Sequence, residues 1–209
     1  MSDIIEHGTE LWREARCGLV TGSRFKDVMT TSRGGQGWGQ TALGYALKVA
    51  AERITGEVAD EYSNAAMEHG IIHEPIAIAE YERATFNVVT YPGLLLKDGT
   101  GIGGTPDGFV GKDGMIEVKC PATTHRHLAT LLDRVVPPEY IPQVQGYLWL
   151  SGRAWCDYVS FHPSFPPSQR LVVLRMARND AYISEMALRV LEFDKLVNKM
   201  VDDASGQGR

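Results

Sequence analysis

The chain has 209 residues, of which 44% are hydrophobic and 22% charged, and its net charge is -5. This globular balance excludes a wholly disordered or collagen-like protein, and no apolar run approaches the roughly 18 residues of a membrane helix. It also argues against a protein that coats nucleic acid by charge alone, but not against a basic channel on an acidic body.

Residues 1–209 are long enough for a single domain that folds without disulfides or a structural metal. Cys17, Cys120 and Cys156 are far apart and form no C-x-x-C pair. That argues against a zinc ribbon or an iron–sulfur cluster, and an odd count fits a reducing compartment. Met1 to Glu6 has no basic or apolar signal region, so a cytoplasmic protein is expected.

Glu10 to Arg16 reads as a short helix stopped at Gly18. Thr21-Gly-Ser23 reads as the cap of a second short helix ending at Met29. Thr30 to Gly39 is Gly-rich and reads as a mobile loop. Leu43, Leu47, Ala50, Ala51 and Ile54 recur at helical spacing before Gly56. Asn64 to Thr85 is helical in pattern, with a kink or break expected near His73 because Pro75 lacks a donor.

Asn87–Tyr91, Leu94–Lys97, Gly108–Val110 and Met115–Cys120 read as short strands, the last two joined by a turn at Gly111–Gly114. Helices are expected at Ala122–Arg134 and Pro138–Ser151, and strands at Ala154–Phe161 and Leu171–Met176. Asn179 should cap a long amphipathic helix, with Asp202 to Arg209 as a frayed tail. This order predicts an α/β domain of mixed, α+β character, with one central mixed β-sheet flanked by helices.

The densest polar signal is Thr105-Pro106-Asp107-Gly108 followed by Ile116-Glu117-Val118-Lys119. Alternate strand side chains share a face, so Glu117 and Lys119 point one way and Val118 into the core. The hairpin brings Asp107 near Glu117 and Val118, in a register the sequence leaves open. Two carboxylates and a backbone carbonyl suit Mg²⁺, which lowers the pKa of a water and offsets phosphate charge. A lysine beside them orients that water or stabilises developing charge. Pro-Asp-Gly is equally a common turn, and Glu-x-Lys a common exposed pair. Gln143 and Tyr147 share a helix face, which is unusual for a purely apolar contact but also fits a core tyrosine beside an exposed glutamine.

His69 and His73 have the i,i+4 spacing of zinc ligands but lack the glutamate that zinc proteases place after the first histidine. His125 and His127, two apart on a helix, diverge. Arg13, Arg24, Lys26 and Arg33 suit a DNA path with Trp38 stacking on bases, or simply a charged surface with a loop anchor.

In combination these segments resemble the PD-(D/E)XK nuclease superfamily and, within it, the lambda exonuclease family of phage-type alkaline exonucleases. The resemblance runs from Leu11 to Tyr158. It rests on Trp12…Arg16…Thr21-Gly-Ser23, on Gly70-Ile-Ile-His-Glu74, on Thr105-Pro-Asp107-Gly with Glu117-Val-Lys119-Cys-Pro121, and on Gln143-Val-Gln-Gly-Tyr147. Each piece is degenerate; the four in this order are much more specific.

The resemblance implies Asp107, Glu117 and the Val118 carbonyl as Mg²⁺ ligands, with Glu74 assisting a second ion and Mn²⁺ a candidate substitute. Lys119 would act on the attacking water, Gln143 would hold that water or the phosphate, and Tyr147 would buttress the site. Arg16, Thr21, Ser23 and Thr105 resemble a 5′-phosphate pocket. Where the family can carry an arginine after Cys-Pro, this chain has His125, so Arg126 is a candidate replacement.

The implied activity is Mg²⁺-dependent 5′→3′ degradation of one strand of linear duplex DNA to mononucleotides, leaving a 3′ tail for recombination. A homotrimeric ring, a single-strand annealing partner and a phage or prophage protein acting in the bacterial cytoplasm are implied with it. An endonuclease of the same superfamily and a catalytically idle DNA-binding module are the alternatives. The superfamily's four-cysteine-cluster exonucleases are disfavoured by only three cysteines.

Overall fold

A computed structural model describes residues 9–59 and 65–206. The expectations for Met1 to Glu6, for Asn64 and for residues 207–209 lie outside the described residues. The N-terminal part holds α1 (Glu10–Ala15), β1 (Val20–Thr21), a 3₁₀ turn (Gly22–Arg24), α2 (Phe25–Val28), α3 (Gln40–Thr55) and α4 (Ala65–Thr85). Five short strands follow: β2 (Val89–Thr90), β3 (Leu95–Leu96), β4 (Ile102–Gly104), β5 (Gly108–Val110) and β6 (Gly114–Lys119). The remainder is α5 (Thr124–Asp133), a 3₁₀ turn (Pro138–Tyr140), α6 (Ile141–Ser151), β7 (Trp155–Phe161), β8 (Leu171–Ala177) and α7 (Asp180–Ala204).

The expected central mixed sheet has five strands in the order β2-β5-β6-β7-β8. Its middle pair, β6 and β7, is parallel, and the other pairs are antiparallel. A parallel pair needs a long crossover, which α5 and α6 supply. Beside this sheet stands a second one of three strands, β1-β4-β3. Its strands are only two or three residues long, and β4 is Ile102-Gly103-Gly104, so periodicity could not reveal β1 or β4. Among the described residues, no helix is long and apolar enough to cross a membrane.

Strand β6 divides the interior. Met115 joins a core built with α2, α3, α6 and α7 through Phe25, Val49, Val144, Tyr147 and Phe193. Ile116 and Val118 point the other way, into a core with Ala77 and Tyr81 of α4 and Val159 and Phe161 of β7. Glu117 and Lys119 therefore share the Met115 face, toward α6.

Four local expectations change. Helix α4 runs unbroken through Pro75. The carbonyl that loses its donor belongs to Ile71, which is 59% exposed, so water can satisfy it. Thr21 makes no side-chain capping bond, and a 3₁₀ turn precedes α2 where Thr21-Gly-Ser23 was expected to cap it. The Gly-rich loop is tied down by Arg189, which donates to the carbonyls of Val28 (2.9 Å), Thr30 (2.7 Å) and Gly37 (3.1 Å) and stacks on Trp38. The last helix continues past Asp202 to Ala204, supported by a Lys199–Asp203 ion pair at i,i+4.

Candidate active site

Strand β6 is buried from Gly114 to Val118, and Glu117 has no exposed surface. Its Oε1 accepts from Lys119 Nζ at 2.6 Å and from Gln143 Nε2 at 2.5 Å. Its Oε2 is buried without a partner. A buried carboxylate oxygen lacking a donor is destabilising, and a cation relieves that.

The ladder between β5 and β6 ends at Gly108 opposite Ile116, which leaves Asp107 just outside it. Asp107 folds back so that its Oδ2 accepts the Val118 N–H at 2.6 Å. The open register thus closes with Asp107 beside Glu117 and Val118. Glu74 approaches from α4. Burial, then the Asp107 and Glu117 charges, pushes its pKa well above the carboxylate range. Glu117 is raised likewise, by burial first and then by Asp107, against the pull of Lys119. Burial works against charge on Lys119, but Glu117 and Asp107 outweigh it and hold the ammonium protonated well above its ordinary range.

Among the described residues, no three histidine, cysteine or carboxylate side chains are grouped closely enough to hold a metal by themselves. Asp107 and Glu117 suit Mg²⁺ nonetheless, since that ion keeps several waters and needs only one or two protein carboxylates. The orphaned Glu117 Oε2 fits such an ion.

Gln143 and Tyr147 do share a face of α6, and both are buried. The Tyr147 ring lies against Gly22 and Gly104, so close that a Cβ on Gly104 would sit 2.7 Å from the ring. Burial, with the Glu117 charge, raises the phenol well above its ordinary pKa, so it stays protonated. This suits a wedge better than an acid.

The second cluster lies on the 3₁₀ turn before α2. Arg16 Nη2 donates to Ser23 Oγ at 3.4 Å, and Ser23 Oγ lies 3.3 Å from Thr21 Oγ1. Thr105 joins them through Trp12, whose Nε1 donates to Thr105 Oγ1 at 3.1 Å. Arg126 stands apart. It is exposed on α5 and lines a cleft with Lys119, Tyr140 and Tyr158.

His127 is a satisfied core residue, its ring nitrogens 2.8 Å from Ser160 Oγ and 2.9 Å from the Gln169 carbonyl. His69 and His73 stack, with their Nδ1 atoms on the carbonyls of Cys120 and His69. Arg13 and Arg24 have carboxylate neighbours in Glu10 and Asp27. Lys26 and Arg33 are exposed.

Residue-by-residue reading missed Tyr45 and Tyr140. The Tyr45 hydroxyl accepts the Thr21 N–H at 2.9 Å, and Lys119 Nζ lies 5.3 Å from the Tyr140 ring centre. Tyr45 sits on the apolar stripe of α3 and looks like core; nothing local marks either residue.

Residues 11–154 match the YqaJ-like viral recombinase domain. The structure resembles the alkaline exonuclease LHK-Exo from Laribacter hongkongensis at 36% identity and a TM-score of 0.86, over 95% of this chain and 97% of that one. The same protein in complex with dAMP matches equally. A phage-related exonuclease from Haemophilus somnus 129PT shares the fold, with a TM-score of 0.74 at 16% identity over 89% of this chain and 96% of that one. Among curated proteins, none matches. The fold and these similarities define a deoxyribonuclease of the lambda exonuclease type. The chain belongs to the YqaJ-like viral recombinase family.

Proposed function

We propose that this chain is one nuclease domain that degrades one strand of linear duplex DNA from the 5′ end, with Mg²⁺, to mononucleotides. The observation that carries the reading is the buried, unpartnered Oε2 of Glu117, whose other oxygen pairs with the Lys119 ammonium. Asp107, Glu117 and the Val118 carbonyl would hold the ion, and Glu74 would assist a second. When bound, Mg²⁺ lowers the pKa of a water and offsets charge on the scissile phosphate. Lys119, beside Glu117, would orient the water or stabilise developing negative charge. Gln143 fixes Glu117 and faces the same space. Tyr147 buttresses both.

Arg16, Thr21, Ser23 and Thr105 would take the terminal 5′-phosphate, because a guanidinium fork and hydroxyls supply donors that match phosphate oxygens. An end-binding pocket favours an exonuclease over an endonuclease. Arg126 would contact the DNA backbone from α5. A homotrimeric ring, an annealing partner for the 3′ tail and a phage-encoded protein in a bacterial cytoplasm accompany this reading, supported by family membership alone.

The test is digestion of end-labelled linear duplex, with and without a 5′-phosphate, in Mg²⁺, Mn²⁺ or EDTA, beside a covalently closed circle. Progressive metal-dependent loss from the phosphorylated 5′ end with the circle intact is the expected result. Cutting of the circle would make it an endonuclease, and binding without cutting an idle module.

A further inference from the structure

A cleft of about 620 Å³ opens beside Lys119, a size that suits a small molecule. It lies at the carboxyl ends of the parallel strands β6 and β7, where Lys119 stands opposite Ser160. Sheets with parallel strands hold their ligands at that end. Helix α5 and the turn at residues 137–140 form its walls, and none of Arg16, Thr21, Ser23 or Thr105 lines it.

Two tyrosines give the cleft its chemistry. The Tyr140 ring is half-buried, and Lys119 Nζ lies 5.3 Å from its centre. Tyr158 packs beside it, with ring centres 5.5 Å apart. Tyr158 is 2% exposed and lines the cleft, yet its hydroxyl makes no hydrogen bond among the described residues. Burial, with Tyr140 next to it, raises its pKa, so the phenol keeps its proton and has a donor to give. A buried hydroxyl without a partner is destabilising, and a ligand that accepts from it relieves that. Lys119 and Arg126 bring two positive charges to the cleft, and Asp133 and Glu139 two negative ones, so it is no track for a run of phosphates. An uncharged planar group with hydrogen-bonding edges fits better. A nucleobase is such a group, and every base has a face that stacks on tyrosine.

From this geometry we propose that the cleft is a base subsite for the nucleotide that follows the scissile bond. The 5′-phosphate of that nucleotide, which is the scissile phosphate, meets Lys119. Its base lies against Tyr140 and accepts a hydrogen bond from Tyr158. Lys119 and the Tyr140 ring are close enough for one nucleotide to reach both. The end pocket then holds the nucleotide before the scissile bond and the cleft the one after it.

The placement of the phosphate rests on the nuclease reading above, and the experiment separates the two. The full chain in EDTA is titrated with dGMP and with 2-deoxyribose 5-phosphate, which lacks the base, and binding is followed by ligand-observed NMR. Neither metal nor cutting enters this readout. Wild type should bind dGMP about tenfold more tightly than the sugar phosphate. Tyr140→Ala should weaken dGMP about tenfold and leave the sugar phosphate unchanged. Tyr140→Phe, which keeps the ring, should bind like wild type. Tyr158→Phe, which removes only the hydroxyl, should weaken dGMP about fivefold. Thermal melting checks folding, and Tyr158→Phe still decides the matter should Tyr140→Ala fail to fold.

Equal affinity of wild type for the two ligands, or no binding of dGMP, would overturn the base subsite. So would dGMP binding that is lost in Arg16→Ala and kept in Tyr140→Ala, which would seat the nucleotide in the end pocket. Base-dependent binding by a protein that cuts no DNA would leave the cleft a nucleotide site and remove the nuclease reading. Cutting from the 5′ end without base-dependent binding would remove only the cleft.

Discussion

Lys119 Nζ lies 2.6 Å from Glu117 Oε1, two residues away on the same face of one strand. The pair is preset by strand geometry rather than by chain flexibility, since alternate side chains of β6 must point together. Burial leaves Lys119 few ways to spend its charge except on Glu117 or on a substrate phosphate. Lys119→Ala should therefore reduce cleavage by about 10²-fold or more, the usual scale for removing one charge-stabilising donor. Single-turnover digestion in saturating Mg²⁺ measures it. Near-wild-type cutting would remove Lys119 from the chemistry.

The carboxylates make the apo protein sensitive to pH in an unusual direction. Glu117 and Glu74 are pushed from 4.5 up to about 8 by burial and by neighbouring carboxylates. A raised carboxylate binds its proton more tightly folded than unfolded, so its stabilising contribution is full below about 4.5 and is lost as pH rises toward 8. The metal-free protein should thus melt at a lower temperature at pH 8 than at pH 5.5. Mg²⁺ takes the place of those protons, so its binding should release protons near pH 7 and its stabilisation should be larger at pH 8. Melting in EDTA and in Mg²⁺ at both pH values, with calorimetry in two buffers of different ionisation enthalpy, gives the answer. Binding without proton release would refute the assignment.

Tyr147 acts through its shape. Its ring fills the gap between Gly22 and Gly104, and it is 2% exposed. Tyr147→Phe keeps that shape and should retain most activity. Gly22→Ala puts a methyl group into the ring and should destabilise the fold by about 1–3 kcal/mol, as overpacking does. For a chain of this size that is roughly 2–4 °C of melting temperature per kcal/mol. A Gly22→Ala protein as stable as wild type would show that the ring moves aside freely.

How legible this site was depends on the range of the contacts that make it. Glu117 with Lys119, and Gln143 with Tyr147, follow from the two-residue period of a strand and the four-residue period of a helix. The placement of Asp107 needed only a hairpin. The bond from Trp12 to Thr105 spans 93 positions in the chain, and no local pattern encodes it. The same holds for the small sheet, whose strand β1 pairs in parallel with β4 far along the chain. Pro75 was expected to kink or break its helix, and it does not break it, for the opposite reason. The rule about missing donors is local, while the exposure of Ile71 that makes the missing bond tolerable is set by the fold.

The Gly-rich loop shows the same long-range control, and it can be tested. Gly35 and Gly37 adopt positive φ, which gives residues 30–39 their turns but no rigidity. Rigidity comes from Arg189 on α7, whose guanidinium bridges three carbonyls and lies 4.3 Å from the centre of the Trp38 ring, while Trp38 meets Phe193 edge-on. Arg189→Ala removes all three donors together and takes the cation from the ring. The loop should then open locally while the sheet stays folded. Arg33 is exposed within it and offers trypsin a site. Limited trypsinolysis should nick Arg189→Ala at Arg33 much faster than wild type, with a fall in stability of about 1–3 kcal/mol. Equal nicking rates would mean that Trp38 on Phe193 holds the loop without help from Arg189.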